Sequence, residues 1–421
     1  MKASISKSKI AGRVTAPSSK SYTIRGLICA ALARGESQIV DPLTSDDTEA
    51  SLNVLSRLGI DVHQKGESWQ VTGGNFHTPD TDLYCGESAA TLRFMTAICS
   101  LVPGRCRLTA GPSLSTRPVR PLVEALRQLG MDCSCQGELP PVTVNGGTLR
   151  GGVTELPGNI SSQFVSALLF VSPFAQQDVT IRLITPLESK PFVLMTVDTM
   201  QWFGITVAFS EDLDQFEIAR QTYQPTRFSV EGDWSSASYL LALGALCGEV
   251  EVDNLNPQSL QGDKVILDFL KDMGASVLIS KNSAKVMKSK LNAIRADLSD
   301  CIDLLPTVAI LAAVADGVTE LAGIERARLK ESDRVTAVKQ GLERMGIKVT
   351  EENDRLSITG GQPKGALIDS RDDHRIAMAF SLLGSAAGET VIDGAECVSK
   401  TYPGFWDVLK NVGSEVKLDG K

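Results

Sequence analysis

The chain has 421 residues, which is too long for one compact core and fits two domains of about 200 residues each. Hydrophobic residues make up 43% and charged residues 22%, as in soluble globular proteins, and the net charge of −8 argues against a general nucleic-acid binder. Any anionic ligand must therefore meet lysine and arginine side chains that are gathered locally.

The chain begins with MKASISKSKIAGRVTAP, which lacks the apolar core of a signal peptide, and it contains no run of about 18 apolar residues. We therefore expect a cytoplasmic protein without a membrane span. The nine cysteines form no C-x-x-C pair, which favours buried free thiols. With three histidines and no P-loop or Rossmann glycine pattern, we expect neither a metal nor a cofactor.

Six segments of the chain share one pattern of elements. Each predicts an apolar helix, a short strand, an amphipathic helix that ends at glycine, and two further strands. Glycine after an amphipathic helix is typical of a left-handed C-cap. The glycines are spaced by 71, 74, 70, 72 and 67 residues, which is too regular for chance. They are Gly59, Gly130, Gly204, Gly274, Gly346 and Gly413.

The two helices of each repeat differ in polarity. The first, such as AATLRFMTAICSLV, is apolar nearly all round and must be buried, whereas the second, such as VTAVKQGLERMG, has one apolar face and should lie on a sheet. The pattern predicts an α/β fold of two similar domains. Each domain has three helix-strand-helix-strand-strand repeats, with buried helices and outer sheets.

The sixth repeat is cut short, because only SEVKLDGK follows Gly413 and the final strand is missing. The N-terminal segment SKSKIAGRVTAPSSK fits that position, so we predict that residues up to about 16 pair with the C-terminal half. The predicted domains are 17–231, with repeats 1–3, and 1–16 plus 232–421, with repeats 4–6. The chain would cross between them near Pro17 and Gly232.

The six buried helices are predicted to begin at APSSKSYTIR, CGESAATLR, NISSQF, GDWSSASY, CIDLLP and RDDHRIAM. Ser and Asp cap helices commonly, and capping alone is the preferred interpretation of GDWSSASY. Helix N-termini also bind phosphate, through free N–H groups and the positive end of the dipole. Parallel buried helices would aim several such ends at one interdomain cleft and make it attract anions.

Cationic residues recur at these helix starts and in the loops. One such residue is usually a solvated charge, but a recurring set in an acidic protein indicates a substrate with phosphate and carboxylate groups. Ser21 and Arg25, and likewise Lys330 and Arg334, are four residues apart and are predicted to share helical faces. The cations are Lys20, Arg25, Arg93, Arg117, Lys330, Arg334, Arg375 and Lys400.

Asp303 and Glu331 are the candidates for proton transfer beside these cations. Asp303 opens an apolar helix, where burial would raise the pKa of its carboxyl and nearby cations would lower it. The sequence leaves that balance open. A helix-capping role for Asp303 has about equal weight at this point.

Ten motifs in order from residue 17 to residue 406 resemble the enolpyruvyl transferase family, and within it the 5-enolpyruvylshikimate-3-phosphate synthases. They are PSSKSYTIR, LTSDDT, CGESAATLR, STRP, SSQF, SKPF, GDWSSASY, RLKESDR, DDHRIAM and SKTYPGFW. The resemblance implies the family fold, an inverse α/β prism. It also implies transfer of the enolpyruvyl group of phosphoenolpyruvate to the 5-hydroxyl of shikimate 3-phosphate, with release of phosphate, in the chorismate branch of aromatic amino acid biosynthesis.

The resemblance also implies roles for individual residues. Those expected to bind shikimate 3-phosphate are Lys20, Ser21, Arg25, Ser161, Ser162, Gln163, Ser189, Asp303 and Lys330. Those expected to bind phosphoenolpyruvate are Lys20, Ala89, Arg117, Gln163, Arg334, Arg375 and Lys400. The expected catalytic residues are Asp303, as base on the substrate hydroxyl, with Glu331, Lys20 and Lys400. The expected partners are these two small molecules alone, bound by a monomer.

The chain departs from the family pattern at Ala89 and Ala90, where Gly and Thr are common. An added methyl group would crowd the phosphoenolpyruvate pocket, so we hypothesise tolerance of glyphosate, a family inhibitor that occupies that pocket. Arg326 and Phe192 also depart from common family residues, and neither receives a role.

Two alternatives remain open. The sibling enzyme that transfers enolpyruvyl to UDP-N-acetylglucosamine typically has SKN and a cysteine-bearing loop, whereas this chain has SKS and GPSLSTRP. A non-catalytic phosphosugar-binding protein on the same scaffold would not need Asp303, Glu331 and Lys400.

Overall fold

The computed structural model describes residues 1–420, and the chain divides into two compact units. The N-terminal unit comprises Ser18–Val230. The C-terminal unit comprises Met1–Pro17 together with the chain from Glu231 onward. Each unit has its own buried apolar core.

The first two strands of the chain, β1 (Lys2–Ile5) and β2 (Ile10–Thr15), belong to the C-terminal unit. The N-terminal unit follows with repeats 1–3. Its helices are α1 (Lys20–Leu32), α2 (Asp46–Arg57), α3 (Ala89–Ile98), α4 (Arg120–Gln128), α5 (Ser162–Val171) and α6 (Lys190–Trp202). Its strands are β3 (Gly35–Val40), β4 (Asp61–Lys65), β5 (Ser68–Gly73), β6 (Leu83–Tyr84), β7 (Gly104–Thr109), β8 (Asp132–Gln136), β9 (Leu139–Gly146), β10 (Gly152–Leu156), β11 (Val179–Leu183), β12 (Ala208–Phe209), β13 (Gln215–Ile218) and β14 (Arg227–Ser229).

Repeats 4–6 form the rest of the C-terminal unit. Its helices are α7 (Trp234–Cys247), α8 (Ile266–Asp272), α9 (Leu305–Ala312), α10 (Arg334–Arg344), α11 (His374–Ala387) and α12 (Phe405–Asn411). Its strands are β15 (Gly248–Asp253), β16 (Ser276–Ile279), β17 (Ser283–Met287), β18 (Arg295–Asp297), β19 (Val318–Ala322), β20 (Lys348–Glu351), β21 (Arg355–Thr359), β22 (Leu367–Asp369), β23 (Thr390–Asp393) and β24 (Val416–Asp419).

The polarity of the helices places them as predicted. In α7 every residue except Ser235 is buried, and α9 is buried throughout, whereas α10 buries one face and exposes the other. The six helix-ending glycines all adopt the left-handed conformation, with φ between 80° and 100°. Since only glycine enters this region without a Cβ penalty, the periodic glycines do mark the ends of the amphipathic helices.

The sheets reveal a strand that the predicted repeat missed. A strand precedes each buried helix, and it pairs in parallel with the first strand of a repeat, as β18 does with β19. The predicted helix-strand-helix-strand-strand unit was therefore incomplete by one strand. Within residues 1–420 the outcome is six four-stranded mixed sheets, of which β18-β19-β21-β20 shows the common order.

In two sheets the strand that precedes the buried helix comes from the other repeat of the pair, and in a third sheet one strand comes from the start of the chain. β14, which precedes repeat 4, pairs with β3 of repeat 1, and β2, which precedes repeat 1, pairs with β15 of repeat 4. β1 lies between β23 and β24, with Ala3 opposite Ile392 and Leu418.

The N-terminal residues thus pair with the C-terminal half, as predicted. The segment assigned to the missing strand was wrong, because Lys2–Ile5 fills the position and Ile10–Thr15 joins repeat 4 instead. The reason is local, since KASI already alternates exposed and buried residues as a strand must.

The nine cysteines are free, and all but Cys135 and Cys397 are buried. Of the helices formed by residues 1–420, none combines the length and the apolar character that a bilayer crossing requires.

Candidate active site

Asp303 is the centre of a charged cluster in the C-terminal unit. It lies in a 3-10 turn, Ile302–Leu304, immediately before α9, and 15% of its side chain is exposed. Its Oδ1 lies 2.8 Å from Arg334 Nη1 and 3.4 Å from Lys330 Nζ, and its Oδ2 accepts from Arg375 Nη2 at 2.9 Å. Asp303 does not cap α9, whose N-cap residue is Leu304. The capping interpretation is therefore wrong.

Arg334 holds three carboxylates together. It is the first residue of α10, and only 1% of its side chain is exposed. Its Nε donates to Asp373 Oδ2 at 2.8 Å and its Nη2 to Glu331 Oε2 at 2.6 Å, in addition to the bond to Asp303. Asp373 is fully buried and caps α11 by accepting from Arg375 N at 2.9 Å. The starts of α9, α10 and α11 are thereby joined by charge-assisted hydrogen bonds.

Arg375 brings a fourth helix into the cluster. It lies in the first turn of α11, and its Nη1 donates to the hydroxyl of Tyr239 in α7 at 3.3 Å. Lys400 ends a 3-10 helix, Ala395–Lys400, that packs against α11, and its side chain is buried.

The sequence left open whether burial or nearby cations dominate the pKa of Asp303, and the structure shows that the cations do. Burial disfavours its ionised form, but Arg375, Lys330 and Arg334 outweigh burial and hold the pKa of the Asp303 carboxyl well below its usual range. Burial also lowers the pKa of Lys330 to about 8, against the opposing pull of Asp303. Asp303 is thus an ionised carboxylate surrounded by three cations.

The predicted shared helical face of Lys330 and Arg334 is wrong. α10 begins only at Arg334, capped by Asp333, and Lys330 has an extended backbone after the 3-10 helix Glu325–Leu329. The two cations meet because both side chains reach Asp303, rather than because they lie one helical turn apart.

The N-terminal unit has a second cluster, which begins at α1. Lys20, the first residue of that helix, pairs with Asp47 of α2 at 3.0 Å. One turn later, buried Arg25 donates to Thr196 Oγ1 at 2.8 Å, to Phe192 O at 2.9 Å and to Ser21 O at 3.0 Å. The Ser21–Arg25 contact is the one that their spacing predicted.

Arg25 is a buried cation without an anionic partner. Within residues 1–420 no carboxylate lies within 4.0 Å of its guanidinium, and three of its five N–H groups donate to neutral oxygens. Burial consequently lowers its pKa to about 10. Such a group favours the binding of an anion.

Arg93 organises the start of α5. Its Nη1 donates to Ser161 Oγ at 3.0 Å and to Gln163 Oε1 at 2.8 Å, and its Nη2 donates to Pro118 O at 3.2 Å. Ser161 caps the helix by accepting from Gln163 N. Arg93 therefore positions Ser161, Gln163 and the loop after Arg117, although the sequence offered it only as one cation among several.

Of the remaining predicted residues, Ser189, Ala89 and Ser162 lie at helix starts in this unit, and Arg117 lies in a loop. Ser189, the N-cap of α6, is buried and adopts a left-handed backbone with φ 54°, which costs a non-glycine residue roughly 1–2 kcal/mol. Strain of this kind concentrates at functional positions. Ala89 is the first residue of α3, Ser162 the first of α5, and Arg117 follows the 3-10 helix Leu114–Thr116.

Four partners of the site residues were missed. They are Asp47, Thr196, Tyr239 and Asp373. Asp373 carried the signal of a helix cap, and the LTSDDT motif contains Asp47, but nothing in the linear sequence couples either to a particular cation. Thr196 and Tyr239 sit inside helices and give no signal.

Comparison with known proteins identifies the family. Residues 5–409 match the model of EPSP synthase (3-phosphoshikimate 1-carboxyvinyltransferase), where EPSP abbreviates 5-enolpyruvylshikimate 3-phosphate. The chain belongs to the EPSP synthase family. A 3-phosphoshikimate 1-carboxyvinyltransferase of Dehalococcoides mccartyi is 51% identical over 421 residues, with both chains covered completely.

Solved structures of the EPSP synthase family and its neighbours share the fold. An EPSP synthase from Acinetobacter baumannii superposes with a TM-score of 0.83 at 26% identity, over 99% of this chain and 100% of that one. The enolpyruvyl transferase NikO from Streptomyces tendae, at 17% identity and a TM-score of 0.78 over 99% and 98% of the chains, shows the fold alone.

Membership of the EPSP synthase family confirms the predicted fold class and activity. The enzyme is a carboxyvinyltransferase of the shikimate pathway, in aromatic amino acid biosynthesis. The alternatives of a UDP-N-acetylglucosamine-directed enzyme and of a non-catalytic binding protein are thereby set aside.

Proposed function

We propose that both clusters bind the substrates of enolpyruvyl transfer and that both supply catalytic residues. The residues that bind shikimate 3-phosphate are Lys20, Ser21, Arg25, Ser161, Ser162, Gln163, Ser189, Asp303 and Lys330. The residues that bind phosphoenolpyruvate are Lys20, Ala89, Arg117, Gln163, Arg334, Arg375 and Lys400. Asp303, Glu331, Lys20 and Lys400 are the catalytic residues.

The convergence of three cations on Asp303 carries this proposal. Arg334, Arg375 and Lys330 all reach the same carboxylate, and Glu331 joins through Arg334. A site that must bind carboxylate and phosphate groups beside a proton acceptor needs this combination. On the other unit, Arg25 supports the assignment, because it is a buried cation whose two remaining N–H groups can donate to an anionic substrate.

The reaction proceeds by addition and then elimination. The 5-hydroxyl oxygen bonds to C2 of phosphoenolpyruvate while its proton passes to Asp303, and the electron pair of the C2–C3 double bond takes a proton at C3. The adduct then loses a proton from C3, the double bond re-forms, and the C2–O bond to phosphate breaks. Glu331 and Lys400 are the groups for the two proton movements at C3, and Arg334 and Arg375 stabilise the carboxylate and the departing phosphate.

Asp303 is a weak base before the substrates bind, because three cations hold its pKa well below the usual range. The carboxylate and phosphate of phosphoenolpyruvate compete with it for Arg334 and Arg375. As these guanidinium groups turn to the substrate, the pKa of Asp303 rises and it becomes able to accept the hydroxyl proton. Substrate binding thus prepares the base.

Release of inorganic phosphate tests the proposal. The enzyme is expected to release phosphate only when both substrates are present. Asp303→Ala and Lys400→Met are expected to lower kcat by about 100-fold or more, the usual size of a general acid–base contribution. Asp316→Ala, which removes an exposed carboxylate paired with Lys290, is the matched control and is expected to keep full activity. Phosphate release from either substrate alone, or full activity of Asp303→Ala, contradicts the assignment.

We further propose that the enzyme acts as a monomer in the cytoplasm. Free thiols persist in reducing compartments, which supports the cytoplasmic location. Sedimentation at working concentration tests the first point, and a dimer whose dissociation abolishes activity contradicts it.

A further inference from the structure

Asp263 is a buried carboxyl group that the proposed mechanism does not use. It lies in the 3-10 helix Gly262–Val265, which packs against α7, and its side chain is almost fully buried. The hydroxyl of Ser235 donates to its Oδ2 in a short hydrogen bond. Within residues 1–420, its Oδ1 is buried and has no hydrogen-bond partner. A buried carboxyl oxygen left in this way is costly when it is charged.

The surroundings of Asp263 include the centre of the active-site cluster. Ser235, which contacts Asp263, lies one turn before Tyr239 in α7, and the Tyr239 hydroxyl accepts from Arg375 Nη1 at 3.3 Å. The charges of Asp303, Asp233 and Arg375 all act on Asp263. Burial, followed by the charge of Asp303, raises the pKa of Asp263 to about 7, against the opposing effects of Arg375 and Ser235. Asp303 therefore loses its proton first, and Asp263 is the carboxyl that gains or loses a proton near neutral pH.

We propose that Asp263 is a positioning residue that acts through Arg375: its neutral form favours the binding of an anionic substrate group at that guanidinium, and its ionised form opposes this binding through its charge. The inference rests on the proposed function, because it takes phosphoenolpyruvate as the anion that Arg375 binds.

The charges of the cluster show why the proton on Asp263 affects the binding of an anionic substrate. The cations Lys330, Arg334 and Arg375 are matched by the three carboxylates of Asp303, Glu331 and Asp373. Ionised Asp263 adds one negative charge to the surroundings of Arg375, where Asp303 is already ionised. The anionic substrate group is then attracted less strongly to Arg375 than it is beside neutral Asp263.

The expected consequence is a change in substrate binding rather than in the chemical step. The Michaelis constant for phosphoenolpyruvate is expected to rise as Asp263 ionises, while kcat changes little once the substrate is bound. Phosphate groups of the substrates also titrate, near pH 6, so the wild-type profile alone mixes two effects. The ratio of KM between the wild type and Asp263→Asn removes the substrate contribution, because asparagine has the same shape and stays neutral.

The experiment measures kcat and KM for phosphoenolpyruvate from pH 6 to 9 in both proteins by phosphate release. The KM ratio of wild type to Asp263→Asn is expected to be near one at pH 6 and about three- to tenfold at pH 9, since one pKa unit of coupling is a factor of ten. Asp268→Asn, which removes an exposed carboxylate on α8, is the control and is expected to follow the wild type. A KM ratio that does not change with pH overturns the proposal.

A second variant tests the same point if Asp263→Asn does not fold. Ser235→Ala removes the hydroxyl that stabilises ionised Asp263, so the midpoint of the rise in KM is expected to move to higher pH. An unmoved midpoint overturns the proposal. Failure of the proposed function looks different, because Asp303→Ala would then keep full activity at every pH. An active enzyme with a flat KM ratio leaves that function standing and removes only the role of Asp263.

Discussion

Replacing Arg334 by methionine removes the residue that holds three carboxylates in one place. The native side chain makes four hydrogen bonds, to Asp303, Glu331 and Asp373, from an almost fully buried position. Methionine fills a similar volume, so the variant tests charge and hydrogen bonding more than packing. Of the donors within residues 1–420, Asp373 would keep the Ser332 hydroxyl and the Arg375 backbone N–H.

The expected loss of stability is about 3–5 kcal/mol, because breaking a buried ion pair leaves an uncompensated charge in the interior. The loss is expected to be smaller at pH 5 than at pH 8. Without Arg334, Asp303 has one cation fewer to keep its pKa low, so its carboxyl takes up a proton more readily and the buried charge is relieved. A cavity alone would give a loss that does not depend on pH.

The assay is chemical unfolding followed by the fluorescence of Trp234 and Trp406, which both lie in the C-terminal unit, with Trp69 and Trp202 replaced by phenylalanine in every protein. Arg13→Met is the control, since it removes an arginine of the same unit whose bonds to carboxylates are exposed, and it is expected to cause no measurable change.

A double-mutant cycle with Asp373→Asn isolates the pair. We expect a coupling energy of about 1–3 kcal/mol between the two positions. Additivity within experimental error, or a loss no larger than that of Arg13→Met, refutes the reasoning.

Two further predictions concern Asp263 and Ala89. In the folded enzyme the pKa of Asp263 is about 7 instead of 3.8, so the unfolded chain binds fewer protons between these values and stability falls as pH rises through them. The free energy of unfolding of Asp263→Asn is therefore expected to exceed that of the wild type by up to about 4 kcal/mol at pH 8 and by little at pH 4. Urea unfolding at both pH values measures this, and an equal difference at pH 4 and pH 8 contradicts the prediction. Ala89→Gly, at the first position of α3, is expected to tighten glyphosate inhibition by about tenfold or more by removing one methyl group, whereas equal, tight inhibition of both proteins refutes the tolerance hypothesis.

Much of the fold could be predicted because the same two signals, an apolar helix and a glycine that ends an amphipathic helix, occur in all six repeats. The helix-ending glycines, from Gly59 to Gly413, all have positive φ, and the apolar helices are all buried. Four of the six strands that precede these helices were missed because they have only two or three residues. Leu83–Tyr84 has two residues and Arg227–Ser229 has three, which is too few for an alternating pattern to appear.

The site was predicted as a set of residues but not as a set of pairings. Position at a helix start identified Arg375 and Asp303, and a cationic loop segment, RLKESDR, identified Arg334, since both signals are local. Which carboxylate each arginine would contact depends on how helices distant in the chain pack, as the bond from Arg334 to Asp373 illustrates. Asp263 escaped for the same reason, because only burial beside Asp303 distinguishes it from an ordinary surface aspartate.

The position of β1 between β23 and β24 has a consequence for synthesis on the ribosome. Lys2 of β1 pairs with Asp393 and Asp419, which are translated much later, so β1 is among the last strands to be paired although it is made before them. Residues 18–230 are contiguous and can fold while the remainder is still being made. During synthesis the N-terminal unit can thus be folded while β1 stays unpaired until β23 and β24 have been made.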